Sequence, residues 1–266
     1  MSRLLEFETL NNTRDLGGMK TSDHRVIKKG KLIRSGQLAQ ASDPDLEQLG
    51  RMVSLVVDFR SASEIEEKRD RIPEGVEYRN LPVLESIVEG ISRDKKSEME
   101  FLDKMNKKPD ETRDYMIRMY RGLSRNEFAV SQVRTFLDII LEEHPKAVLW
   151  HCSAGKDRAG VVAALLEEIL GVPRETVIQD YIATNDYLVK DVQSLKKIIR
   201  SQVDSMGEID ERALYNFLGA NREYIEAFYD EIDQTYHGFQ GFLRDALHLT
   251  EEEQNRLKEM YLQEDE

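Results

Sequence analysis

Four short apolar runs, each fenced by charges or turn residues, set the narrowest limits on the fold of this chain. They are "GKLIRSG" (30–36), "MVSLVVDF" (52–59), "EYRNLPV" (77–83) and "KAVLWHC" (146–152). Each is strand-length, too short for a helix and rich in Val, Leu or Ile. Helical patterns lie between them. "SDPDLEQL" offers Ser42 as an N-cap and Pro44 in the first turn. From 126 to 143, Phe128, Val133, Phe136, Leu137, Ile140 and Leu141 recur at helical spacing. Strands separated by helices predict an α/β fold, with a mainly parallel central sheet flanked by helices on both faces.

Beyond about Val172 the pattern turns almost purely helical. "TVIQDYIATNDYL" repeats apolar residues at Val177, Ile178, Tyr181, Ile182 and Leu188, and Thr250 with Glu253 forms a capping-box pair ahead of the last helical pattern. No Pro/Gly/Ser-rich linker divides 172–266 from the rest. The reading is therefore one domain over 1–266, with a helical C-terminal part at 172–266. The most charged stretch is "RDKKSEMEFLDKMNKKPDETRD" (93–114), where Phe101, Leu102 and Met105 leave a thin apolar stripe that Pro109 interrupts. It reads either as a solvated helical hairpin or as a helical lid spanning 93–122, because covers need weak packing.

Charge narrows the function classes. With 38 basic and 51 acidic residues the net charge is −13, which argues against a nucleic-acid partner or a broad basic membrane face. "VVAALLEEIL" meets two glutamates after six apolar residues, so no integral membrane segment is expected. The N-terminus lacks an apolar signal core, and a single cysteine forbids an intramolecular disulfide and suits a reducing compartment. A cytoplasmic location is the expectation; oligomeric state is not readable.

That single cysteine lies in "LWHCSAGKDRAG" (149–160). An apolar strand ends at His151–Cys152, a loop carries Gly155, and an apolar helix pattern opens at Arg158. Such a strand–loop–helix unit turns loop amides and the positive end of a helix dipole toward one point, where an oxyanion binds. Arg158 can add a two-pronged fork matched to phosphate oxygens. A positive environment of this kind favours a reactive thiolate, and a thiolate beneath a bound phosphoryl group is placed for in-line attack. A lone buried cysteine is more often structural, but the polar run Ser153, Lys156, Asp157, Arg158 speaks against that here. The Cys-x5-Arg spacing alone is a weak signal; its strand, glycine and helix context is a strong one.

"HCSAGKDRAG" closely resembles the "HC-x-x-GKDR-T-G" signature of the cysteine-based phosphatases, in their atypical bacterial tyrosine and dual-specificity branch. "NTRDLGG" (12–18), "LIRSGQL" (32–38), "VVDFRSASEIEEKRD" (56–70), "DYIATNDYL" (180–188) and "GFQGFLRDALHLTEEEQNRLKEMYL" (238–262) resemble that branch too. The resemblance implies Cys152 as nucleophile and Arg158 as phosphate ligand, with the loop of Ser153, Ala154, Gly155, Lys156, Asp157 and Arg158 around the phosphoryl oxygens. It implies a phosphocysteine formed by Cys152 and then hydrolysed by water, with no metal and no cofactor, because Arg158 and the amides supply the charge stabilisation. In this branch an aspartate of the loop is implicated as general acid, which maps onto Asp157. A lysine at position 156 is associated there with phosphoinositides, and Lys156 is expected to add positive charge at the loop mouth. The implied partner is a phosphorylated protein or a phosphoinositide substrate. Members of the branch can also be exported without a recognisable signal.

Other residues carry two readings. Asp58 ends a predicted strand and so could neighbour Cys152, but an ion pair to Arg60 or Arg158 that orders the loop is preferred over catalysis. His151 reads as a hydrogen-bonding support, and Arg14, Asp15 and Arg34 as an ion-pair cluster tying the N-terminal segment to the sheet. His24, His144, His237 and His248 show no metal-ligand spacing. A sulfurtransferase needs no Cys-x5-Arg spacing, and an arsenate reductase needs further cysteines that the chain lacks. A weakly active or pseudophosphatase module stays in view because Ala159 stands where the family pattern has Thr or Ser, whose hydroxyl steadies the departing thiolate.

Overall fold

The computed structural model describes residues 4–84, 106–188 and 210–265. Its central sheet has five strands in the order β1-β3-β6-β4-β5: β1 (Arg14–Asp15), β3 (Leu32–Ser35), β4 (Val53–Asp58), β5 (Glu77–Asn80) and β6 (Ala147–His151). β3, β6, β4 and β5 run parallel and only β1 pairs antiparallel, on the edge beside β3. The four apolar runs of the sequence are therefore the four parallel strands.

The alternation of side chains along these strands builds two cores. Leu32, Leu55, Val57, Val148 and Trp150 join the larger core, whereas Ile33, Val56 and Leu149 join the smaller one. The smaller side is closed by Leu49 of α1 (Asp43–Met52) with Leu10 and Leu38. Ser42 caps α1 as expected; the reciprocal partner in its capping box is Asp45. The larger side is closed by α4 (Glu127–Ile140) and α5 (Arg158–Ile169), where Phe136 packs edge-on against both Trp150 and Phe59 at 5.3 Å. Helix α5 buries Val161, Val162, Leu165, Leu166 and Ile169. At about 1.5–3 kcal/mol per buried aliphatic side chain, that helix is fixed firmly enough to hold its first turn in register.

The remaining helices are α6 (Arg174–Tyr187), which packs on α5, then α7 (Glu211–Leu218), α8 (Arg222–Tyr236), α9 (Phe239–Asp245) and α10 (Glu251–Tyr261), with α8 packed on α6 and α9. The C-terminal part is not wholly helical: β7 (Leu262–Glu264) pairs antiparallel with β2 (Arg25–Ile27). Strands of three residues are too short to show a period, so sequence patterning misses them.

Of the lid segment 93–122, residues 93–105 lie outside the described residues. Residues 109–122 belong to α3 (Pro109–Arg125), and this part is a packed helix, not a loosely held cover. Pro109 opens α3, and Met116, Tyr120 and Leu123 are buried, with the Tyr120 ring 5.5 Å from that of Tyr224 on α8.

Candidate active site

The carboxyl ends of β4 and β6 and the start of α5 meet at one place. β6 ends at His151, Cys152 follows it, and residues 153–157 loop into α5, whose first residue is Arg158. Trp150 donates its Nε1–H to the Ala159 carbonyl at 3.1 Å, so the strand and the first helical turn are tied across the loop. Cys152 is buried at 2% exposure. Gly155 has φ +70°, and a Cβ there would lie 2.4 Å from the Ser35 carbonyl oxygen, so no other residue fits without moving backbone. Among the described residues no protein acceptor takes the amides of Ser153 through Arg158. A row of unpaired amides before a helix N-terminus is an anion cradle.

Arg158 stands beside it. Its Nη1 and Nη2 each donate to Glu64 at 2.7 Å, a two-pronged pair, and Nη2 lies 3.3 Å from Ser153 Oγ. Ser153 Oγ donates to the same carboxylate at 2.6 Å. Burial would raise the Glu64 carboxyl, but the hydrogen bonds and charge of Arg158 outweigh it and hold it at about 2. Burial also opposes the charge on Arg158, yet Glu64 keeps that guanidinium more basic than usual. Glu64 escaped the sequence reading. The detectable signal was a Ser-x-x-Glu box, Ser61 to Glu64, which caps α2 (Ala62–Glu67) just past β4.

Asp157 accepts the Tyr120 hydroxyl at 2.6 Å, and its side chain is 27% exposed. Tyr120 is itself paired with Tyr181 at 2.6 Å, and burial followed by the Asp157 charge keeps its phenol protonated far past the ordinary range. Neither tyrosine carries a site signal in the sequence, since apolar helical spacing is all that marks them.

Lys156 departs from expectation. It is 2% exposed, and its ammonium turns inward to the Phe217 and Gly219 carbonyls at 2.6 and 3.3 Å. These carbonyls close the C-terminal end of α7, where a cation is favoured. Lys156 therefore clamps the loop to the C-terminal helices and does not line the mouth.

Asp58 pairs with Arg60, as preferred from sequence, through contacts of 2.8–3.1 Å. Tyr78 donates to it as well, at 2.8 Å. Arg60 also reaches Asp70 at 2.5 Å, and His151 joins this network with Nε2 3.1 Å from Asp70 and Nδ1 3.2 Å from the Cys152 carbonyl. Asp58, Asp70 and His151 have ligand atoms within 4.8 Å of one another, a spacing open to a metal ion, but the Arg60 guanidinium already supplies the positive charge there. Burial would raise the Asp58 carboxyl; Arg60 and His151 hold it below its ordinary value. Asp58 is thus engaged by Arg60 and Tyr78. Arg14 and Arg34 do form a buried ion-pair cluster, shared with Asp180 at 3.3 Å from each. The Asp15 carboxylate takes the Gly17 and Gly30 amides at 2.8 and 2.7 Å.

Among the described residues no helix is long and apolar enough to cross a membrane. Residues 5–263 match the tyrosine phosphatase family. The chain is 27% identical over 256 residues to the triple specificity protein phosphatase PtpB of Mycobacterium tuberculosis, covering 88% of this chain and 91% of that one. It is 28% identical over 249 residues to a Cupriavidus necator protein named for tyrosine-protein phosphatase activity, covering 92% and 84%. A tyrosine-protein phosphatase of Nostoc commune is 26% identical over 159 residues, covering 59% and 49%. With a nearly end-to-end match, a cysteine at the end of a central strand, an amide cradle and an arginine fork, this chain belongs to the tyrosine phosphatase family.

Proposed function

We propose that the chain hydrolyses phosphotyrosine esters through a phosphocysteine on Cys152. The observation that carries this reading is the row of unpaired amides, Ser153 to Arg158, set directly after Cys152 and before the N-terminus of α5. The amides and Arg158 hold the phosphoryl oxygens, and Cys152 Sγ attacks phosphorus as the bond to the tyrosine oxygen breaks. Asp157 gives its proton to that oxygen. Water then attacks the phosphocysteine, Asp157 takes the proton, and phosphate and thiolate separate. Tyr120 holds the Asp157 carboxyl, leaving its second oxygen for this transfer.

Lys156 bears on the substrate. Its ammonium is engaged with backbone carbonyls, so a phosphoinositide headgroup gains nothing from it, and the proposal favours phosphoprotein substrates. The relative named for triple specificity supports testing phosphoserine and phosphothreonine alongside phosphotyrosine. A buried nucleophile that must stay reduced supports a cytoplasmic setting. The test is phosphate release from p-nitrophenyl phosphate and from matched phosphotyrosine, phosphoserine, phosphothreonine and phosphoinositide substrates. Cys152→Ser abolishes turnover on the proposed reading; unchanged turnover in that variant rejects it.

A further inference from the structure

Two sequence motifs outside the cysteine loop, "NTRDLGG" and "LIRSGQL", converge directly beneath it. The Ser153 carbonyl accepts the Gln37 amide at 3.0 Å. The Ala154 carbonyl accepts Asn12 Nδ2 at 3.0 Å, and the Gly155 carbonyl accepts Arg34 Nη2 at 2.8 Å. Three consecutive loop carbonyls are therefore tied from the same two segments. In a trans peptide the carbonyl of one residue and the amide of the next point in opposite directions. Tying the carbonyls of 153, 154 and 155 on one side therefore aims the amides of Ala154, Gly155 and Lys156 to the other, and those amides have no protein acceptor among the described residues.

Both tethering side chains are themselves held. Asn12 is 1% exposed with φ +53°, a left-handed conformation that Asn tolerates. Arg14 Nη1 donates to its Oδ1, which fixes the amide so that Nδ2 faces Ala154. Arg34 is 1% exposed, and its other contacts are Asp180 Oδ2 at 3.3 Å and Thr184 Oγ1 at 3.5 Å, both on α6. Gly160, on the first turn of α5, makes room for it: a Cβ there would meet Arg34 Nη2 at 2.9 Å. A buried guanidinium is costly to install, and here it joins α6 to the carbonyl of the one loop glycine that no other residue can replace.

We infer that Asn12 and Arg34 are positioning residues of the phosphate loop, which hold its carbonyls backward so that its amides point at the phosphoryl group. The inference rests on the proposed phosphatase reading and deepens it. The experiment compares Asn12→Gly, Arg34→Lys and Arg34→Met with wild type, measuring kcat, KM, competitive inhibition by inorganic phosphate, and the thermal midpoint. Asn12→Gly suits the decision because glycine accepts the left-handed backbone, so the amide is lost without new strain. The expected result is a rise of about tenfold or more in the phosphate inhibition constant, with a matching fall in kcat/KM, since mis-aimed donors forfeit oxyanion contacts. Arg34→Lys, which keeps the charge and one donor, recovers part of what Arg34→Met loses. A merely structural role would lower the thermal midpoint and the fraction of active protein while leaving the inhibition constant in place, and that result overturns the inference. If the Arg34 variants do not fold, Asn12→Gly and Asn12→Ser decide alone. An inactive wild type rejects the phosphatase reading instead, so the two failures are distinguishable.

Discussion

Replacing Glu64 by Gln separates two energies that meet at Arg158. The substitution keeps the shape and the capping box, because Gln serves at that position as Glu does, but removes the charge. Arg158 and Glu64 are 13% and 15% exposed, so solvent screens the pair weakly. Glu64 is held at about 2 against an ordinary 4.5. At about 1.4 kcal/mol per pH unit, that difference corresponds to roughly 3 kcal/mol of folding stability at pH 7. Removing one partner of a buried pair costs about 3–5 kcal/mol by a separate route, so the two figures agree. The sign follows from the direction: a lowered carboxyl stabilises above about pH 4.5, and the contribution fades as pH falls toward about 2. Urea denaturation of Glu64→Gln should therefore show a deficit of about 3 kcal/mol at pH 7 that narrows below pH 4.5. A bound oxyanion gives Arg158 a new partner but is repelled by the Glu64 carboxylate, a repulsion that the variant lacks, so vanadate should recover more stability in the variant than in wild type. The variant should also bind vanadate at least as tightly as wild type does. A stability loss under about 1 kcal/mol would refute the pair energy. A tenfold loss of vanadate affinity would show that Glu64 acts chiefly by orienting Arg158.

Two further outcomes follow from the loop. Ala159 is fully buried in the first turn of α5 and, on the proposed mechanism, offers no hydroxyl to steady the departing thiolate; losing such a bond to a charged group costs about 1.5–3 kcal/mol. Wild type should therefore show a burst of leaving group before a slower phosphocysteine hydrolysis, and Ala159→Thr, or the smaller Ala159→Ser, should speed that second step about tenfold or more; no burst and no gain in turnover sinks the idea. Gly155→Ala should raise the phosphate inhibition constant at least about tenfold, because the left-handed backbone costs about 1–2 kcal/mol and its Cβ would collide with Ser35, so the loop must shift. Wild-type phosphate affinity in a folded Gly155→Ala would contradict that geometry.

What could be read from the sequence was what repeats locally. Four apolar runs gave the four parallel strands, and the loop between β6 and α5 was visible because a buried strand, a glycine and a buried helix occupy adjacent positions. The missed elements have a common cause. β2 and β7 hold three residues each and acquire meaning only by pairing with each other across the whole chain. The one local signal at Glu64 is that of a helix cap, and it is one: Oε2 takes the Ser61 amide at 3.0 Å while also accepting Arg158 at 2.7 Å. A local motif hid a long-range partner.

Lys156 shows the converse. Its place in the loop motif suggests a positive charge at the loop mouth, but a lysine's direction is set by whichever acceptors lie within reach. Besides the neighbouring Asp157 carboxylate at 3.4 Å, the acceptors it finds are the Phe217 and Gly219 carbonyls, about sixty residues further on, at a helix end that sequence alone does not bring to the loop. Backbone carbonyls at a helix C-terminus attract an ammonium through both hydrogen bonding and the helix dipole, and they do so whether or not substrate is present. The same logic governs Asn12 and Arg34, which face the Ala154 and Gly155 carbonyls. Motif position therefore tells which residues crowd around Cys152. Which of them face the substrate is decided by the acceptors behind the loop, and three of those acceptors are the loop's own carbonyls.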